Sequence, residues 1–424
     1  MKAVNRREFM AGVGGTAAVL AANSVRGGEP ASERVRIGVI GVRGRGSELI
    51  ATLVKDASAE IVAVCDIDDA SFARPMKILE SAGAKSARVE KDFRRLLDDR
   101  TIDAVFVAAP DHWHALLTVM ACQSGKDVYV EKPVSHNIVE GRRMVEAARK
   151  YARIVQAGTQ RRSSPEIAEA LEIVRSGGIG KVGSARTWIV HKRKSIGHGS
   201  PGAVPAGVDY DLWQGPAVDR PFYSNRFHYN WHWFWNWGTG ELGNNGIHAI
   251  DLARWGLGLD APTSIVSSGG NFVLDDDEET PDTQVAVWRF PTAILVWEHR
   301  IWSGHPIDGS SFGVSFEGDQ GTLVIGEREW KVVEGKSTAG GKIADPQAAH
   351  IANFLECVKS RKKPNAEIEI GHLSTRLCHL GNVAQRTGRR VDFDAASERF
   401  VNDAEADKLL SREYGKRFEM PVHV

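Results

Sequence analysis

The stretch Val35–Ile40 (VRIGVI) runs directly into Gly41-Val42-Arg43-Gly44-Arg45-Gly46, and a helical pattern opens at Ser47. No other part of the chain restricts the fold as much. A short apolar run ending on glycines reads as a buried strand, and the glycines allow a tight turn before the helix. Strand, glycine turn and helix together aim backbone N–H groups and a helix N-terminus at phosphate oxygens. A second strand, Glu60 to Cys65, ends on Asp66. That acid lies about 20 residues past the last glycine, where it meets the adenosine ribose of a dinucleotide. A carboxylate there bonds two ribose hydroxyls and repels a 2′-phosphate, which favours NAD. Arg43 occupies the fingerprint's usual second-glycine position. Arg43 or Arg45 could meet a phosphate instead, so NADP stays open. The cofactor candidates in this turn are Gly41, Val42, Arg43, Gly44, Gly46 and Asp66.

More parallel-sheet units follow. Ala104 to Ala108 is a strand, Pro110-Asp111-His112-Trp113-His114 a turn, Ala115 to Ser124 a helix, and Val128 to Val130 a strand that ends on Glu131-Lys132-Pro133. These turns share the carboxyl edge of the strands, where open α/β sheets bind ligands. Beyond Lys181 the pattern changes. Strand-like runs at Ser184–Val190, Thr283–Phe290, Ala293–Arg300, Phe312–Glu317 and Gly321–Ile325 imply a mostly antiparallel sheet in an α+β second domain. The 54 basic residues balance the 54 acidic ones. That removes the electrostatic motive for binding nucleic acid or an anionic membrane and leaves small neutral ligands. The four cysteines show no metal spacing and read as buried thiols.

The N-terminus reads as a signal. Asn5-Arg6-Arg7-Glu8-Phe9-Met10 precedes an Ala/Gly run from Ala11 to Ala22. This is the layout of twin-arginine export, with cleavage expected between Ala22 and Ala31 and delivery of a prefolded, nucleotide-loaded protein to the periplasm. The run is too short for an ordinary span, so no stable membrane insertion is expected after signal removal.

The richest stretch of the second half is WHWFWNWGTGELGNNGIHAIDLARW. If it is extended, Trp231, Trp233, Trp235 and Trp237 share one side, to stack on a sugar or to plug a seam. A helix begins near Asn245, a natural cap. It places His248, Asp251 and Trp255 on one face, with Asn244 one turn back. His228 and His232 could join His248 around zinc, but hydride transfer needs no metal and none is expected. Asp209 to Ala217 reads as turn structure. The acidic run Asp275 to Glu279 reads as solvent-facing.

In order, the glycine turn, Asp66, PDHWH, EKPV and G-x-H-x-x-D resemble the Gfo/Idh/MocA oxidoreductases, from about Arg34 to Arg390. The resemblance implies an α/β Rossmann N-terminal domain (34–155) and an α+β C-terminal domain (156–390) with a large mostly antiparallel sheet. One face of that sheet would serve a homo-oligomer, dimer or tetramer. Residues 1–33 would be signal and linker, and 391–424 a tail that resembles nothing assignable. The resemblance also implies that Pro110, His112, His114, Glu131 and Lys132 contact the cofactor. Lys132 would reach the reacting hydroxyl, its bond to Pro133 often being cis in relatives, and His248 would take the proton. Substrate candidates are Lys132, Arg161, Asp209, Trp235, Asn244 and His248, and the catalytic set is Lys132, His248 and Asn244. Many relatives carry aspartate at the position of Asn244, which leaves Asp251 as the candidate to supply the missing charge. The lysine also suits the chemistry without the family, because an ammonium donates to an oxygen gaining alkoxide character. The implied function is NAD(P)-dependent oxidation of a sugar, glycoside or polyol by a tightly held cofactor. The alternative is a redox-neutral glycosidase or lyase working through a transient keto-sugar.

Overall fold

The computed structural model describes residues 34–335 and 339–424; the proposed export signal around Arg6 and Arg7 lies outside them. Six strands form the first sheet: β1 (Val35–Ile40), β2 (Ala59–Cys65), β3 (Arg88–Glu90), β4 (Ala104–Val107), β5 (Asp127–Val130) and β6 (Val155–Ala157). Their order is β3-β2-β1-β4-β5-β6 and every pairing is parallel. The order reverses beside β1, where β2 lies on one side and β4 on the other. The turns after β1 and β4 therefore open a crevice at the carboxyl edge. β4 and β5 are buried at every position, as continuous apolar runs covered on both faces should be.

Ten strands form the second sheet: β7 (Val182–Val190), β8 (Ser264–Gly270), β9 (Thr283–Arg289), β10 (Ile294–Arg300), β11 (Phe312–Gly318), β12 (Gly321–Ile325), β13 (Glu329–Gly335), β14 (Gly340–Lys342), β15 (Val391–Asp394) and β16 (Arg399–Phe400). Their order is β14-β13-β12-β11-β7-β10-β9-β8-β15-β16, antiparallel except for the β7–β10 pair. One face packs on the helices Pro165–Arg175, Ile247–Leu257 and Ile368–Thr387, where Leu171, Ile250 and Leu377 meet Trp288, Trp297 and Phe316. Each fully buried side chain of that size contributes about 1.5–3 kcal/mol. The other face leaves Val266, Val285 and Ile294 exposed.

The chain does not end each domain before starting the next. Helix Gln347–Ser360 returns to the first sheet, where Phe354 packs edge-on against Phe106 at 5.3 Å. The last segment does the same. β15 and β16 extend the second sheet, and residues beyond 411 then cross the first domain. Phe418 meets Trp113 at 5.0 Å and Phe93 at 5.9 Å, and Arg412 bonds both Glu140 and the His112 carbonyl. Residues 34–424 accordingly form one compact unit.

The acidic run differs from its solvent-facing reading. Asp277 accepts hydrogen bonds from His198, the Gly199 N–H and Asn225, and Asp276 accepts from the Ile196 N–H. Glu278 is buried, and burial pushes its pKa up to about 8.

Candidate active site

The glycine turn is built around two close approaches. Gly41 adopts a φ of +82°, and a Cβ there would lie 2.6 Å from the Ala108 carbonyl oxygen of the neighbouring turn. A Cβ on Gly46 would lie 2.0 Å from the Gly41 oxygen. Only glycine lets the helix Arg45–Leu53 start so near the turn, and no side chain caps that helix. Its first N–H groups are available to an anion. Asp66 is tied to the same turn, accepting from the Val42 N–H at 2.8 Å and the Asp68 N–H at 3.2 Å. Burial raises its pKa. Arg43 lines the same cavity and pairs with Asp68 at 3.4 Å. Arg45 turns inward, donating to Glu131 at 2.8 Å and to Gln347.

A cavity of about 510 Å³ follows this edge, lined by Gly41, Gly44, Asp66, Pro110, Glu131 and Lys132. A glycine cradle, an uncapped helix start, an acid at the ribose position and a lysine at the far end fit NAD. Glu131 is buried. Burial opposes its charge, yet Arg45 and Lys132 hold its pKa below the usual value.

The Lys132–Pro133 bond is cis. Lys132 Nζ donates to the main-chain oxygen of Asn244 at 2.8 Å and to its side-chain oxygen at 3.0 Å. Both acceptors come from one residue because Asn244 lies in a π-helical turn, Leu242–Gly246, that runs straight into the helix Ile247–Leu257. Asn245 is not a cap, and Asn244 holds the lysine. Burial lowers the Lys132 pKa, against the pull of Glu131 and Asp111.

His248 lines a second cavity of about 280 Å³, together with Gln160, Arg161 and Phe312, and Asn245 lines both cavities. The amine and the imidazole thus open on adjoining spaces rather than on one. Burial, then Lys132 and Arg161, hold the His248 pKa well below its ordinary value, so the ring is neutral at pH 7 and keeps a nitrogen lone pair free to accept a proton. Asp251 gives His248 no charge. It is clamped by Arg162 through bonds of 2.8 and 3.0 Å and by Ser374 at 2.6 Å.

Other expected residues fall elsewhere. His112 is buried behind the cavity, its Nε2 2.9 Å from the Trp213 carbonyl. His114 lines the cavity, but its ring nitrogens lie 2.6 Å from the Pro133 oxygen and 2.7 Å from the Ala109 oxygen; PDHWH is not a turn but the start of the helix Asp111–Gln123, which His114 ties to the EKP turn. Asp209 caps the short helix Tyr210–Gln214 and lines neither cavity. Trp235 bonds the Glu279 carbonyl at 3.1 Å and lies under Arg386, away from both. The tryptophans do not share a side, because Asn230–Trp233 is a 3-10 turn; Trp231 is the one of the four that lines the first cavity. His228 and His232 also face that cavity, bonding Asp68 and the Tyr229 carbonyl.

Asp111 was not among the expected site residues. It is buried on the cavity wall, accepts from Thr239 at 2.8 Å, and burial pushes its pKa up to about 7. Its position in PDHWH was visible in the sequence. The second-domain threonine that holds it, 128 residues away, was not.

Residues 35–159 match the NAD-binding Rossmann fold of the Gfo/Idh/MocA oxidoreductases, and residues 187–420 match the family's C-terminal alpha/beta domain. The chain belongs to the Gfo/Idh/MocA oxidoreductase family. It is 34% identical over 345 residues to inositol 2-dehydrogenase of Rubrobacter xylanophilus, a match spanning 77% of this chain and 81% of that one. With inositol 2-dehydrogenase 2 of Saccharopolyspora erythraea it shares 32% over 232 residues, 54% of this chain but only 56% of the relative's length. The fold matches the WlbA dehydrogenase of Bordetella pertussis, solved with NADH and UDP-GlcNAcA, at a TM-score of 0.65 and 20% identity, covering 85% of this chain and 99% of that one.

Proposed function

We propose that this Gfo/Idh/MocA protein oxidises a secondary alcohol of a sugar, glycoside or polyol, using NAD that it holds tightly. NAD, when bound, accepts the hydride from the carbinol carbon at nicotinamide C4. The protein manages the oxygen and its proton. Lys132, fixed by two bonds to Asn244, keeps its remaining N–H for the substrate oxygen and stabilises negative charge there as the C–H bond breaks. His248, kept neutral, takes the hydroxyl proton. The carbinol then sits where the two cavities meet, beside Asn245, which lines both. The observation that carries this reading is the doubly anchored Lys132 at the cavity edge next to the His248 chamber.

NAD is preferred over NADP in this reading, because the Asp66 carboxylate occupies the ribose position. The export signal motivates delivery to the periplasm, with the cofactor carried along; a tagged protein retained in the cytoplasm would contradict this. The exposed apolar sheet face supports self-association.

The test is purification without added nucleotide, then mass analysis of what co-purifies, then incubation with sugars while absorbance and products are followed together. A ketone formed with stoichiometric NADH supports the oxidoreductase. Cleaved glycoside without net NADH would redirect the same residues to a redox-neutral cycle. Absence of bound nucleotide, with no turnover on addition of NAD, defeats the proposal.

A further inference from the structure

The second cavity holds a cation that no carboxylate pairs with directly among the described residues. Arg161 and Arg162 are adjacent in sequence and differ in their partners. Arg162 is clamped by the Asp251 carboxylate. Arg161 donates only to main-chain oxygens, of Gly326 and Glu327, each at 3.2 Å, and lies 4.4 Å over the Phe312 ring. Among the described residues, no carboxylate comes within ion-pairing distance of it. A guanidinium in such a place is short of compensation, and burial pulls its pKa down to about 10.

The charges around it point the same way. His191 lines the cavity, but Glu241 already serves both His191 at 3.3 Å and Arg193 at 3.0 Å. Lys132 and Arg161 both depress His248, so their positive field reaches the chamber. Glu327 is the one acidic residue on the wall. Its side chain is exposed, and it offers Arg161 its main-chain oxygen rather than its carboxylate. Next to Arg161 in the chain, Gln160 also lines the cavity, and its Oε1 is buried without a hydrogen-bond donor, suited to a sugar hydroxyl. The wall therefore offers a planar fork of donors, an aromatic face and a hydroxyl acceptor around a guanidinium with no direct ion pair.

We propose that the substrate is an anionic sugar, a uronic acid or its glycoside, whose carboxylate is held by Arg161 while its carbinol faces Lys132 and His248. This rests on the oxidoreductase reading and adds the substrate class to it. A carboxylate matches the guanidinium fork in two parallel bonds, which a hydroxyl cannot do. A neutral sugar would leave the half-buried cation without a direct ion-pair partner.

The experiment compares glucose, glucuronate and glucose 6-phosphate, and the corresponding galactose set, with their methyl glycosides. Binding to NAD-loaded enzyme is measured by calorimetry and turnover as kcat/KM. The uronate is expected to exceed its parent sugar by about 10-fold or more in both readouts. Its Kd should rise several-fold as salt goes from about 50 to about 500 mM, with the neutral sugar unaffected. Arg161→Gln should cut the uronate-to-sugar ratio about 10- to 100-fold, and Arg161→Lys should restore part of it. Equal or better use of the neutral sugar, preference for the phosphate, or an unchanged ratio in Arg161→Gln would overturn the inference and leave the oxidoreductase standing. If Arg161→Gln does not fold, the wild-type ratio and its salt dependence decide. Reduction of NAD by none of the sugars defeats the oxidoreductase reading and this inference with it.

Discussion

Asn244→Asp places a carboxylate where an amide oxygen now lies 3.0 Å from Lys132 Nζ. Burial holds the lysine pKa below its ordinary range, with Glu131 and Asp111 only partly countering it. A full negative charge at 3.0 Å attracts the ammonium by about 5 kcal/mol at an effective dielectric near 20. Desolvation of the new carboxylate, and its repulsion by Glu241, which lies 3.5 Å from Asn244 Nδ2, remove part of that. A rise of about 1–3 pKa units for Lys132 remains. The sign follows from the role. If the ammonium polarises the substrate oxygen, activity is lost as pH rises through the lysine pKa. Raising that pKa moves the alkaline limb to higher pH by the same amount. The assay is kcat/KM against pH for wild type and variant, with a substrate that does not itself titrate in the alkaline range. An alkaline limb that stays in place or moves down would refute the assignment of the ammonium to this step.

Three further outcomes are expected. Phe418→Ala removes the ring that backs Trp113 and Phe93 on the cofactor cavity wall, so nucleotide should be lost on gel filtration and stability should fall by about 1–3 kcal/mol; full retention of nucleotide would show that the tail does not support the cavity. Stability should drop from pH 7 to pH 5. The native pKa of His112 is about 3, so the unfolded chain takes up its proton first as pH falls, and that one ring costs about 2 kcal/mol by pH 5. His232 and His379 act in the same direction, while Asp111 and Glu278, whose pKa values are raised, oppose it; a Tm independent of pH in calorimetry would contradict the balance. Ile294→Glu, on the exposed sheet face, should shift sedimentation toward the monomer, and an unchanged mass would exclude that face as the interface.

The parts legible in the sequence were those whose physics is local. The glycine turn, the Asp66 position and the EKP turn each follow a strand directly, so a few consecutive residues carry their geometry. The second sheet was visible in outline because its strands alternate. The tryptophan segment alternates as well, yet it winds into a 3-10 turn, because aromatic residues packing on Trp213, Phe227 and Phe234 decide its path rather than any ladder. The acidic run looked solvated because its partners, His198 and Asn225, lie 79 and 52 residues away. The grip of Asn244 on Lys132 spans 112 residues and depends on a π-helical turn that frees a main-chain oxygen. The tail was opaque because its composition is charged, while its hold on the first domain rests on a few contacts through Arg412, Phe418 and Met420.

In the proposed reaction, hydride passes directly between a sugar carbinol and nucleotide held in the first cavity, beside Lys132. The decisive measurement uses a sugar deuterated at the oxidised carbon, mixed with the purified NAD-loaded enzyme, followed by release of the nucleotide and mass spectrometry. One deuterium is expected on the nicotinamide ring, and none when Lys132→Met is used. Deuterium appearing in water, or a nucleotide that stays unlabelled while product forms, would contradict it.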